Sequence, residues 1–137
     1  MQQFYLERIN QIEKCELIET KTAKGISEKF AQKIMAIEAA DLEKHFKNDY
    51  IICLFHEGKE MNSFEFARFL KKIASSSSRA ITFVVGGFLG LEERILKRAD
   101  TLLSLSQMTF SHELIRIMLL EQIYRSLMTI KGRQYVK

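Results

Sequence analysis

Apolar positions along the chain alternate between helical spacing and short continuous runs, the pattern of helices interleaved with buried strands. Phe4, Tyr5, Leu6, Ile9 and Ile12, with Glu7, Arg8 and Glu13 between them, predict a short amphipathic helix over residues 2–13. Cys15-Glu-Leu-Ile-Glu-Thr20 reads as a strand and Lys21 to Gly25 as the loop after it. Ser27 is a residue type that caps a helix by accepting a free backbone amide. From it, Phe30, Ala31, Ile34, Met35, Ile37 and Leu42 predict a long helix reaching Phe46. Tyr50-Ile-Ile-Cys-Leu-Phe55 is a continuous apolar strand, with His56 to Lys59 as its exit loop.

Asn62 and Glu65 have the spacing of a capping box, which opens a helix through Phe66, Phe69, Leu70 and Ile73. Ser75 to Ser78 reads as a flexible polar link. The run Ile81 to Val85 is β-branched and does not alternate, so both of its faces should be covered. The fold class that follows is α/β, a mostly parallel sheet with helices on both faces. Gly86, Gly87 and Gly90 fall at the carboxyl end of that strand, where open α/β sheets leave a crevice for ligands. Glycine there lets a ligand approach backbone directly; a tight turn that needs glycine for its geometry alone is the other reading.

Glu92 to Arg98 places acids in the first turn and bases in the last, as the helix dipole favours. Thr101 to Ser106 is a last short strand, and Gln107 to Ser111 leads into a helix over His112 to Ile130. Leu114, Ile115, Ile117, Met118, Leu119 and Leu120 surround the first half of that helix. A sheet in so small a domain covers one side, so the pattern predicts a second subunit on the other, as a two-fold homodimer. The tail from Lys131 to Lys137 is basic, with Tyr135 among its charges, a mixture that suits a base and its phosphates.

Composition narrows the class. A chain of 137 residues is long enough for one domain, 1–137, with its own core. With 47% hydrophobic and 28% charged residues it is ordinary for a soluble protein. Neither a membrane-spanning run nor a leader at Met1 is evident, and Cys15 and Cys53 lack metal-type spacing, so reduced thiols in a cytoplasmic protein are expected. The formal charge of +4 and the pI near 9.1 favour an acidic partner such as RNA.

Several chemistries are excluded by missing motifs: neither a phosphate-binding Gly-x-x-x-x-Gly-Lys loop nor Gly-x-Gly-x-x-Gly occurs. His112-Glu113 has Arg116 where a zinc helix carries its second histidine, and there is no Gly-x-Ser-x-Gly elbow. The crevice is left with backbone, glycine and apolar groups. Such a site suits a neutral or cationic cofactor, of which S-adenosylmethionine is one, with methyl transfer depending chiefly on alignment of the reactants.

Three separated blocks then become recognisable in order: Phe83-Val-Val-Gly-Gly-Phe-Leu-Gly-Leu91, Leu103-Ser-Leu-Ser-Gln-Met-Thr-Phe-Ser-His-Glu-Leu114 followed by Arg116, and Leu120-Glu-Gln-Ile-Tyr-Arg125. Together they resemble the RlmH family of SPOUT-class methyltransferases, densely from Ile81 onward and more thinly through Leu54, Gly58-Lys59 and Asn62 to Ala67 upstream. The resemblance implies a SPOUT-type fold with a carboxyl-terminal trefoil knot, a homodimer, and S-adenosylmethionine-dependent methylation of N3 of a pseudouridine in large-subunit ribosomal RNA. It implies cofactor binding at Leu54, Gly86 and Gly87, and at Leu105, Ser106, Gln107, Met108, Thr109 and Phe110. His112 and Arg116, one helical turn apart, are the residues it offers for orienting or polarising the base; Arg116, Arg133, Tyr135 and Lys137 are those it offers to RNA.

Two departures bear on activity. Family members end Tyr-His-Lys where this chain has Tyr135-Val136-Lys137, which takes an imidazole from the expected acceptor pocket. They also carry an earlier strand and a Val-Gly-Lys turn, so the resemblance implies a sheet short of one strand, with a neighbouring edge exposed. Two rival readings stay open: a non-catalytic RNA- or ribosome-binding dimer derived from the family, and a regulatory dimer that binds another adenine nucleotide.

Overall fold

The computed structural model describes residues 1–19, 30–87 and 90–132. Its elements follow in the order α1 (Gln2–Asn10), α2 (Ala31–Glu43), β1 (Tyr50–Glu60), α3 (Ser63–Ser76), β2 (Ile81–Val84), α4 (Glu93–Arg98), β3 (Thr101–Ser104) and α5 (His112–Ile130). The three strands form one parallel sheet in the order β2-β1-β3.

β1 is the axis of the molecule. Ile51, Ile52 and Cys53 are each 0% exposed, and successive side chains point to opposite faces. Ile51 and Cys53 enter a core with Ala39, Phe46, Val84 and Ile95, closed by α2 and α4. Ile52 enters a second core with Phe66, Leu70, Ile73 and Leu103, closed by α3 and α5. Each fully buried aliphatic side chain contributes about 1.5–3 kcal/mol, so this three-residue stretch anchors both layers. The expected α/β architecture with helices on both faces is what forms.

The strand expected over Ile81 to Val85 forms, and both of its faces are packed, but it is shorter and less buried than its apolar run implies. β2 lies at an edge of the sheet, ends at Val84, and only Val84 is buried in it. Its apolar run still has a purpose, since Phe83 packs on the α3 side and Val84 on the α2 side.

The amino ends of the strands are tied by polar groups. Asp100 Oδ2 accepts the Ile51 amide at 2.8 Å while Ile51 O accepts the Asp100 amide at 2.8 Å. The Tyr50 and Thr101 hydroxyls lie 2.7 Å apart, and the Arg79 guanidinium donates to Asn48 O and Asp49 O. These bonds fix the register in which Cys53 faces both Val84 and Leu102, so β2 and β3 run alongside β1 in the same direction and leave the sheet at its carboxyl edge.

The exit loop expected at His56 to Lys59 lies instead within β1. Leu103 pairs first with Leu54 and again with Lys59, so the chain swings out over the residues between and returns to the same neighbour. Gly58 passes against the backbone of Leu102 and Leu103, too close for any side chain.

The strand expected at Cys15 to Thr20 does not form over Cys15–Glu19, and Thr20 lies outside the described residues. The Asn10 side chain accepts the Cys15 amide and donates to the Cys15 carbonyl, both at 2.9 Å, which occupies the groups a ladder would use. Ser27 and the loop Lys21 to Gly25 also lie outside the described residues. The capping box is present: Asn62 Oδ1 accepts the Glu65 amide at 2.7 Å, and Glu65 Oε1 accepts the Asn62 amide at 2.9 Å. The helix it opens runs on through Ser75 and Ser76, shortening the link expected there.

α5 keeps its expected bounds, but its surroundings are fuller than the pattern suggested. α3 and α1 both pack on it, with Tyr5 and Tyr124 ring centres 6.4 Å apart, and Leu119 and Leu120 are buried within this one chain. Leu114, in its first turn, remains 43% exposed.

Candidate functional site

Three chain segments meet the carboxyl edge of the sheet, because parallel strands of matched register all deliver their chain there. Behind β2 comes the glycine turn. Gly87 and Gly90 form a short antiparallel bridge, with the Gly90 amide donating to Gly87 O at 3.0 Å, and Gly90 adopts φ +82°, a conformation other residues resist. A Cβ on Gly86 would stand 2.9 Å from the Gly90 carbonyl carbon and 3.1 Å from Leu91 Cγ, so this glycine is needed to close the turn. Among the described residues, the atom within 4 Å of the absent Cβ of Gly87 is Glu38 Oε2, at 3.5 Å.

Within β1, Leu54 is half-buried against the α3 side of the core. Leu105, just beyond β3, packs half-buried against that same core. The loop from Leu105 to Ser111 is held by its own hydroxyls. Ser104 is buried and donates to His56 O at 3.1 Å and to Ser106 O at 2.9 Å, which ties the β3 exit to the swing of β1. Ser106 Oγ accepts the Met108 amide at 3.0 Å, and Gln107 Nε2 donates to Glu60 Oε1 at 2.8 Å. Gln107, Met108, Thr109 and Phe110 are exposed, Met108 to 72%, so an apolar surface on a firmly tied loop faces outward.

The loop ends at Ser111, whose Oγ accepts the Leu114 amide at 3.2 Å and so starts α5. His112 is half-buried in that first turn and makes no hydrogen bond among the described residues. Its charge reaches Glu38: burial raises the Glu38 carboxyl pKa above its ordinary value, and His112 pulls it part of the way back. Glu38 therefore links the glycine turn to the start of α5. Arg116, one turn further on, holds Glu19 at 3.2 Å through a terminal nitrogen, while its Nε is buried without a partner among the described residues. Arg133, Tyr135 and Lys137 lie outside the described residues.

Leu54, Gly86, Gly87, Leu105 and Ser106 thus share the carboxyl edge, and Gln107 to Phe110 extend it toward His112. Sequence reasoning missed Gly58, Ser104 and Glu38. Gly58 had a signal, since an isolated glycine beside a strand marks a close backbone approach. Glu38 had a weaker one, a single acid between Ile37 and Ala39. Ser104 had none.

The chemistry of this edge is narrow. Burial pushes the Cys53 thiol up to about 11 and raises Cys15 as well, so neither offers a thiolate at neutral pH. Among the described residues no group of three or more His, Cys, Asp or Glu is placed to hold a metal ion, and no helix is long and apolar enough to cross a membrane. What remains at this edge is glycine backbone, apolar side chains and tied hydroxyls, groups that suit a small cofactor with an apolar ring and no phosphate.

A family model described as "Predicted SPOUT methyltransferase" matches residues 1–135. The ribosomal RNA large subunit methyltransferase H of Leuconostoc citreum is 42% identical over 137 residues, covering 97% of this chain and 86% of that protein. The protein of the same name from Streptococcus uberis is 41% identical over 133 residues, covering 96% and 84%. Ribosomal RNA large subunit methyltransferase H 1 of Thermoanaerobacter pseudethanolicus is 42% identical over 125 residues, covering 88% and 81%. Two of the three blocks that carry the sequence resemblance reach the edge just described and the third lies in α5, and with matches of this extent the chain belongs to the SPOUT methyltransferase family, among the ribosomal RNA large subunit methyltransferases H.

Proposed function

We propose that this chain is an S-adenosylmethionine-dependent RNA methyltransferase acting on N3 of a pseudouridine in large-subunit ribosomal RNA. The observation that carries the reading is the convergence of the glycine turn and the Leu105–Phe110 loop on one sheet edge, in a family of methyltransferases. Leu54, Gly86, Gly87, Leu105, Ser106, Gln107, Met108, Thr109 and Phe110 are the residues proposed to hold the cofactor. When bound, the cofactor supplies an electrophilic methyl group on a sulfonium. The turn and loop contribute alignment: Gly87 leaves room beside its backbone, and Leu54 and Leu105 offer an apolar wall. His112 and Arg116, on one face of α5, orient the base and bear the charge that develops when N3 loses its proton.

Arg116, Arg133, Tyr135 and Lys137 are proposed to contact the RNA, in keeping with the net charge of +4. The exposed Leu114 and the half-buried Ile115 and Met118 support a homodimer through the first half of α5. A trefoil knot in a single domain spanning 1–137 is proposed from the family match over residues 1–135. Its substrate would place the protein in the cytoplasm.

The test is methyl transfer from labelled S-adenosylmethionine to ribosomes that lack the modification, with the product nucleoside identified by mass spectrometry. Methylated pseudouridine is expected. Absence of both transfer and saturable cofactor binding would leave the non-catalytic reading, which Val136 favours. If the cofactor binds but transfer is absent, Val136→His is the variant expected to restore it.

A further inference from the structure

Glu38 reaches the glycine turn from α2, and it is a costly residue to keep there. It projects from the middle of α2, and Oε2 lies 3.5 Å from where a Cβ on Gly87 would be. It is half-buried and has no hydrogen bond or ion pair among the described residues. Burial disfavours its charge, and only His112 offsets part of that. Of the cations on the adjoining α4, Arg94 is taken by Glu43 at 2.9 Å and Glu92 at 3.4 Å, with a further bond to Ala36 O, Lys97 pairs with Glu93 at 3.3 Å, and Arg98 lies over the Phe46 ring. A carboxylate desolvated without a fixed partner at the edge of a binding cradle is arranged to meet a cation that arrives with the ligand.

Resting on the cofactor reading above, we infer that Glu38 is a specificity-determining residue that favours the sulfonium of the methyl donor over the neutral thioether of the product. The two ligands share adenine, ribose, ammonium and carboxylate, and differ by one methyl group and one positive charge. A single carboxylate in the cradle is therefore felt in the difference between them. It also disfavours adenosine phosphates, whose charge has the wrong sign.

The test is equilibrium binding of S-adenosylmethionine and S-adenosylhomocysteine to the wild-type chain and to Glu38→Gln, an isosteric change on a partly exposed helix face. Glu38→Gln should weaken the sulfonium ligand about fivefold and leave the thioether within about twofold, the scale of one screened charge interaction. In the wild-type chain, raising salt should shift the affinity ratio of the two ligands in the same direction. Wild-type binding of both ligands with no change of ratio in Glu38→Gln would overturn this inference and leave the cofactor reading intact, as would an equal loss for both, which marks the shared ammonium as the contact. Failure of the wild-type chain to bind either ligand would overturn both.

Discussion

A Cβ on Gly58 would stand 2.7 Å from both the carbonyl carbon and the carbonyl oxygen of Leu102. No rotamer relieves such a contact, because its other side is backbone of the buried strand β3, which β1 holds on two levels. Gly58→Ala must therefore part the strands or break the return of β1, and is expected to cost about 3 kcal/mol in urea unfolding, at the upper end of overpacking effects. Gly87→Ala is the companion variant: among the described residues its methyl meets only the flexible end of Glu38 at 3.5 Å, and it should unfold within about 0.5 kcal/mol of the wild type. Equal losses in the two variants would refute the backbone contact as the cause.

That contact also marks the limit of what local pattern can reveal. The bounds of α5, the capping box at Asn62 and the apolar β1 were legible because each depends on neighbours within a few residues. That β1 continues past His56 was not, since His56-Glu-Gly-Lys59 is polar and its pairing depends on Leu103, far along the chain. Edge and centre were likewise not legible: Ile81 to Val84 and Tyr50 to Phe55 are both apolar runs, and only the strand order β2-β1-β3 separates them. The site divides in the same way. Its glycines and the Leu105–Phe110 run could be read directly, whereas Glu38 reaches the site through the packing of α2 and had to be seen in place.

At the opposite edge of the sheet, Asp100 carries one of the few side-chain bonds to buried backbone. The Ile51 amide it accepts belongs to a residue with 0% exposure, so its removal leaves a donor away from water. Asp100→Ala should cost about 1–3 kcal/mol, and Asp100→Asn, which keeps an acceptor, distinctly less. The Arg79–Asp100 ion pair adds little to this, being a third exposed on the Arg79 side. Equal losses in the two variants, measured by chemical unfolding, would assign the effect to the ion pair instead.

Cys53 should titrate as a stability probe. Its thiol is held protonated to about 11, against an ordinary value of 9.0. Below pH 9 both folded and unfolded thiols are protonated and nothing is lost; above it the unfolded thiol ionises first. Stability should therefore fall as pH rises through that window, by roughly 2–3 kcal/mol in total. Cys53→Ala, though weaker at pH 8 for want of packing, should lack this component, so the gap between the two chains narrows by pH 10.5. In folded protein at pH 8, Cys15 should alkylate slowly and Cys53 not at all, as mass spectrometry can count.

Arg116 tests whether α5 meets RNA. Its guanidinium is 23% exposed and rests on Glu19, which is 68% exposed, so the carboxylate occupies a place a phosphate oxygen can take. If Arg116 contacts the ribosomal RNA backbone, Arg116→Ala should weaken binding to large-subunit RNA about tenfold and lower the salt slope of log K by about one. Glu19→Gln should do the opposite, strengthening binding modestly by removing a competitor for the same cation. A purely structural Arg116 gives another pattern: both substitutions destabilise the fold, Arg116→Ala by removing a largely buried side chain and Glu19→Gln by loosening the pair that holds it, and the salt slope stays where it was. Fluorescence anisotropy across a salt series, run beside thermal unfolding of the same variants, separates the two, since only a phosphate contact moves the slope.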